Sequence, residues 1–199
     1  MRTKSDSRRQ AIIDVAAQVF LEHGFERASM SEIAVRVGGS KATLYSYFSS
    51  KEELFAETVG QYADQHMETI FPLLEKTDSL RDGLQEFGEQ FLNVRFSSEA
   101  LTIFRTVVAE AGKGEIGRMF YDLGPKKGIG LMSAFLERRM ASGDLRTTNP
   151  AVAAMHLVSL LEAETFHPAL FGVDAYDEAD RKNAVARAVD VFLRAYAMS

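Results

Sequence analysis

Lys41, Thr43, Tyr45, Tyr47 and Lys51 fall within eleven residues and bring two cations, one hydroxyl and two phenols together. Such groups suit phosphate oxygens and base edges, and the threonine methyl can also meet a thymine methyl. Leu44 and Phe48 lie four apart on the same stretch, where a helix would turn them inward. Ser31 and Ala42 complete this candidate set. Other chemistry is weaker. Gly112-x-Gly114-x-x-Gly117 matches a dinucleotide fingerprint in letters, but the segment before it has a helical period and Pro125 follows too soon for a βαβ helix. Glu164-x-x-His167 has metal-ligand spacing without a second histidine, cysteine or aspartate beside it. No nucleophile motif or P-loop is present, so no enzyme activity, cofactor or metal site is expected.

The elements that must carry the first set are legible. Ser29-x-x-Glu32 reads as a capping box for a short helix with Ile33, Ala34 and Val37 on its apolar side. Gly38-Gly39 ends it, because glycine enters the left-handed region without steric cost. Ser40 caps a second helix expected over Lys41–Phe48, and Ser49-x-x-Glu52 opens a third. Two short helices across a glycine turn form a helix-turn-helix, whose second helix enters the major groove.

Gly24-Phe25, then Ser31, Ile33 and Ala34, then Gly38-x-Ser40-x-x-Thr43-Leu44-Tyr45-x-Tyr47-Phe48-x-x-Lys51-x-x-Leu54 resembles the DNA-binding signature of the TetR/AcrR repressors. The resemblance spans about the first quarter of the chain. It implies that Tyr47 and Lys51 touch the phosphate backbone while Lys41, Thr43 and Tyr45 face bases. Gly39 departs from the pattern, standing where the family usually has an apolar residue that packs the turn.

A net charge of −5 conceals an asymmetry. Residues 1–51 hold 8 Lys+Arg against 5 Asp+Glu, a net of +3, and the remainder carries −8. A basic head binds phosphate locally while an acidic body discourages nonspecific coating of DNA. Arg2, Lys4, Arg8 and Arg9 read as an N-terminal arm. Zero cysteines exclude disulfides and thiolate chemistry and fit a reducing compartment; the expected location is cytoplasmic. Asp14 and Gln18 interrupt the first apolar run, which reads as an amphipathic helix with Ile12, Val15, Ala16, Val19 and Phe20 inward rather than a signal peptide. No run approaches the ~18 apolar residues of a membrane helix.

Beyond Lys51 the chain reads as helix after helix. Leu80, Leu84, Phe87, Phe91 and Val94 form one apolar stripe, and Leu101, Phe104, Val107, Val108 and Ala111 another. Pro125 enters a further helix, and Asn149-Pro150 caps the next. The expected fold class is all-α, with about nine helices, divided into a DNA-binding domain over residues 1–52 and an effector-binding and dimerisation domain over 53–199. Among many phenylalanines, Phe87, Phe91, Phe104 and Phe166, with His66, Arg105 and His156, are candidates to line a ligand cavity. Ala151–Leu161 lacks any charge, and a final helix over about Asp177–Met198 has small residues along one side. Val152, Met155, Ser159, Ala184, Ala188, Val191 and Ala195 are therefore candidates for a homodimer interface. The stretch from about Glu99 to Leu161, particularly ALTIFRTVVAEAG, MFYDLGPKKG and LERRMASGDLR, is similar to AefR-like effector domains; this implies a helical sensor and dimer domain without naming a ligand.

Together these features predict a regulator that binds double-stranded DNA at a palindromic operator as a homodimer and answers to a small, mainly apolar effector. The alternatives are a DNA-binding adaptor for a protein partner and a helical-bundle enzyme.

Overall fold

The computed structural model describes residues 4–112, 115–173 and 176–198. Eleven α-helices account for most of the described residues: α1 (Lys4–Arg27), α2 (Met30–Val37), α3 (Lys41–Tyr45), α4 (Lys51–Ile70), α5 (Leu80–Arg95), α6 (Ser98–Glu110), α7 (Ile116–Leu123), α8 (Pro125–Ala141), α9 (Pro150–Glu162), α10 (Phe166–Leu170) and α11 (Glu178–Tyr196). Nine are eight residues or longer. A 3-10 turn, Phe71–Glu75, follows α4, and an isolated antiparallel bridge joins Leu145 to Ala197. The fold is all-α.

The chain packs as two compact units. The first comprises residues up to Asp64 together with Thr102–Pro125; the second comprises Gln65–Leu101 and the residues from Lys126 onward. In the first unit Ile12, Ala16, Val19 and Phe20 of α1 meet Ile33 and Ala34 of α2, Leu44 of α3 and Phe48. Leu54, Phe55 and Val59 of α4 close the same core, and Val107 and Ile116 add to it. Phe20, Phe25 and Phe55 form an aromatic knot, with centroids 5.0 Å apart for Phe20–Phe55 and 5.1 Å for Phe25–Phe55. Gly24 sits inside α1 at φ 73° and ψ 168°, so the helix kinks there and turns Phe25 into the knot.

In the second unit α11 packs against α9 and α5. The close approach depends on Gly88 of α5: a Cβ there would lie 2.6 Å from Val185 Cγ1 and 2.8 Å from Leu161 Cδ2. Phe87, Phe135 and Phe192 are buried in this core with Leu84, Leu157, Val185 and Val189. The expected cap at Asn149 forms. Asn149 accepts from the amides of Ala151 and Val152, with Pro150 at the first helical position. Asp177 and Asp180 complete a reciprocal capping box on α11.

This packing corrects two interface candidates. Ala184 and Ala188 are buried in the core of their own subunit, because α11 turns that side toward α5 and α9. Val152, Met155, Ser159, Val191 and Ala195 are exposed.

Candidate nucleic-acid interface

Local caps set the reading head. Ser29 Oγ accepts from the Glu32 amide at 3.2 Å, making half of the expected capping box. The Glu32 carboxylate does not reach back; it accepts from Arg36 at 2.7 Å and lies 3.1 Å from His23 Nε2. Arg36 also pairs with Glu22 at 2.7 Å, tying the last turn of α2 to α1. The Arg36 hydrogen bond holds the Glu22 carboxyl below its ordinary pKa, and Glu22 in turn raises Arg36. Arg36 is thereby occupied within the protein.

At the end of α2 the Gly38 amide bonds Val35 O and the Gly39 amide bonds Ala34 O, both at 2.9 Å. Gly38 sits at φ 71°, ψ 44°. This pairing is a Schellman stop, which needs a left-handed residue after the helix. Ser40 Oγ then accepts from the Thr43 amide at 3.1 Å and shares a 2.9 Å bond with the Thr43 hydroxyl. The regular α3 spans five residues, shorter than the expected Lys41–Phe48. Helical turns nevertheless continue: the amides of Tyr47 and Phe48 both bond Leu44 O at 3.1 Å. The cap of α4 is also one residue later than expected. Ser50 Oγ accepts from the Glu53 amide, and Glu53 Oε2 reaches back to Ser49.

The segment is therefore a short helix presented outward on two buried pegs, Leu44 and Phe48. Ser31, Lys41, Ala42, Thr43 and Tyr45 are exposed, and Tyr47 is half-buried against the first unit's core. Lys41 and Tyr45 are four apart and share a face.

Lys51 differs from expectation. Its ammonium donates to the carbonyls of Phe25 at 2.8 Å and of Glu26 and Ala28 at 3.3 Å, and it lies 4.2 Å from the Phe25 ring centroid. These contacts tie the end of α1 to the start of α4, so Lys51 positions the head in this structure. The expected N-terminal arm also changes. Arg8 and Arg9 belong to α1; Arg9 pairs with Glu57 at 2.8 Å and lies over the Phe48 ring, while Arg8 donates to Gly38 O at 3.2 Å. Arg2 and the Lys4 side chain lie outside the described residues, as does Gly114 of the glycine triplet. No strand precedes that triplet: α6 runs up to it.

The effector candidates divide between the units. Phe104 and Arg105 belong to the first, and His66, Phe87, Phe91, His156 and Phe166 to the second. Phe87 stacks on Phe91 with centroids 5.9 Å apart and touches Phe71 at 5.2 Å. His156 is exposed on α9, its Nδ1 2.6 Å from the Tyr196 hydroxyl. Phe166 is buried under Arg95, whose guanidinium carbon lies 4.1 Å from the ring centroid while Nε donates to Glu162 at 2.6 Å. Arg95 escaped the sequence reading because its partner is 67 residues away. Glu164 binds Arg187 through both oxygens, at 2.9 and 2.6 Å, instead of acting with His167.

An exposed recognition helix held by a capped turn, followed by a helical second unit, defines a helix-turn-helix DNA-binding protein. Residues 12–58 match the family model for bacterial regulatory proteins of the tetR family. Residues 82–198 match the C-terminal domain of AefR-like transcriptional repressors. The chain belongs to the TetR family of transcriptional regulators. It is 35% identical over 92 residues to the transcriptional activator FasR of Mycolicibacterium smegmatis, covering 46% of this chain and 42% of FasR. Thus the aligned region spans less than half of that relative. It is 25% identical to the regulator YhgD of Bacillus subtilis over 83% of this chain and 89% of YhgD. Among solved structures, a putative TetR-family regulator from Mesorhizobium loti superposes with a TM-score of 0.89 at 29% identity, covering 99% of this chain and 100% of that one. The flavonoid-responsive regulator FrrA gives 0.80 at 30% identity over 96% and 97%. No helix among the described residues is long and apolar enough to cross a membrane.

Proposed function

We propose that this chain is a one-component repressor that binds a palindromic operator as a homodimer and releases it when a small, mainly apolar molecule occupies the helical domain. One observation carries the DNA side: Lys41, Ala42, Thr43 and Tyr45 stand exposed on a helix whose opposite side is pinned by Leu44 and Phe48. Lys41, Thr43 and Tyr45 read base edges, Ala42 allows close approach, and Ser31 and Tyr47 touch phosphates. The AefR-like match favours repression.

For the dimer, Val152, Met155 and Ser159 of α9 and Val191 and Ala195 of α11 supply an exposed, mostly apolar set on two helices that pack together. Two copies related by a two-fold axis would form a four-helix bundle. The two heads must then reach successive major grooves about 34–36 Å apart, or a multiple of that. For the effector, the aromatic group Phe71–Phe87–Phe91 and the likeness to a flavonoid-responsive regulator make planar phenolic compounds the first class to test. The ligand must bind the DNA-incompetent arrangement more tightly, since differential affinity is all it can contribute. The continuous helix α4, which begins beneath the reading head and ends at Ile70, is the element through which we expect that bias to act.

Selection of the purified protein on randomised duplexes tests the first part; an enriched inverted repeat is expected. A pool that stays random after repeated selection overturns sequence-specific binding. Titrating a flavonoid panel against the selected duplex tests the second part, and a panel that never displaces DNA removes that effector class.

A further inference from the structure

Gly39 leaves open space at the turn of the reading head, and what fills it is a cation. A Cβ built on Gly39 would lie 2.8 Å from Arg8 Nη2, and its next neighbour, Ala34 O, would be 3.9 Å away. Arg8 thus lies across the bare turn and donates one N–H to Gly38 O at 3.2 Å. A guanidinium offers five donors in a planar fork that matches phosphate geometry. Of the neighbouring cations, Arg9 pairs with Glu57, Arg36 with Glu22 and Glu32, and Lys51 bonds three carbonyls, while Lys41 stands exposed on α3. No carboxylate pairs with Arg8 among the described residues, and it stands at the turn that leads directly into Lys41–Tyr45.

We infer that Arg8 is a phosphate-contacting residue of the reading head, placed beside the recognition helix by the missing side chain of Gly39. The inference rests on the DNA-binding reading above and adds a contact that a side chain at position 39 would displace. A purely structural role is the competing account, in which Arg8 only satisfies the carbonyl end of α2. The two differ in salt dependence, because a phosphate contact releases counterions and a helix cap does not.

The test measures binding of wild type, Arg8→Ala, Gly39→Ala and the double variant to the selected duplex and to a mixed-sequence duplex across a salt series. For Arg8→Ala we expect weaker binding to both duplexes, with the slope of log affinity against log salt shallower by about 0.9. The wild-type advantage should then shrink by about 3.5-fold for each fourfold rise in salt. Gly39 lies outside the left-handed region, so alanine is compatible with its backbone and only Arg8 must move. Gly39→Ala should weaken binding in the same direction when Arg8 is present and cost nothing more when Arg8 is already alanine. An Arg8→Ala variant with the wild-type slope overturns the proposal, and so does a Gly39→Ala loss that is equal with and without Arg8. A wild-type protein whose affinity for both duplexes ignores salt overturns the DNA-binding reading itself.

Discussion

The ammonium of Lys51 lies 2.8 Å from the carbonyl oxygen of Phe25 and 4.2 Å from the centroid of the same residue's ring, so one side chain fixes both backbone and aromatic knot. Phe25 follows the kink at Gly24, and the carbonyls that Lys51 collects are those left without helical partners where α1 ends. The contact joins the entry to the helix-turn-helix with the helix that leaves it.

Lys51→Ala should therefore act first on stability. Loss of a charged donor from a cluster of part-buried carbonyls is expected to cost about 1–3 kcal/mol, read as a lower Tm. DNA affinity should fall for specific and nonspecific duplexes alike, with the salt slope unchanged. A Tm equal to wild type with a flattened slope would instead return Lys51 to the phosphate contacts.

Thr43 and Tyr45 should govern sequence preference. Substituting either is expected to relax the consensus at particular operator positions, each worth about 1–3 kcal/mol of discrimination. The Thr43 hydroxyl is already bonded to Ser40, so Thr43→Val should retain a methyl-reading contribution that Thr43→Ser loses. Identical consensus sequences for Thr43→Ala, Tyr45→Ala and wild type would place base reading elsewhere.

The dimer separates two residues three apart on α11. Val191 is 49% exposed and Ala188 only 5%. Val191→Arg should yield a folded monomer by analytical ultracentrifugation, because two unpaired guanidinium groups would meet at the two-fold interface. Ala188→Arg should instead unfold the second unit, since it forces a charge between α11 and its own neighbours. A Val191→Arg protein that sediments like wild type would remove α11 from the interface.

Acid should loosen the link between α11 and the turn after α9. The hydrogen bond from Arg187 holds the Glu164 carboxyl below its ordinary pKa. A lowered carboxylate pKa contributes stability above the unfolded-state value and loses it as pH falls through the folded one. The Tm difference between wild type and Arg187→Ala should thus be present at neutral pH and close progressively below the ordinary glutamate range. A difference that persists at the acid end would show that Arg187 acts through packing.

The elements of the reading head are legible because their causes are local. A serine oxygen reaching an amide three residues on, or a glycine taking φ 71° at a helix end, depends on neighbours within one turn. The two cap details that shifted, Ser50 for Ser49 and Glu53 for Glu52, differ by one position within a serine pair and a glutamate pair that offer the same groups. Apolar periodicity likewise specifies the helices and the inward residues of α1. Periodicity does not choose between two plausible faces of one helix. Ala184–Ala188 and Val191–Ala195 both suit close approach, and Gly88 decides which turns inward, because its bare Cα admits Val185 and Leu161 and draws the adjacent side of α11 into the core. The partner of a long side chain is likewise set by chain segments far apart in sequence. Lys51 meets carbonyls 23 to 26 residues back, and Arg8 crosses to a turn 30 residues ahead. The sequence by itself determined the all-helical class, the helix-turn-helix and the exposed polar side of Lys41–Tyr45. Tertiary structure alone decided which cations are bound within the protein, because those ion and hydrogen-bond pairs exist only after the helices have packed.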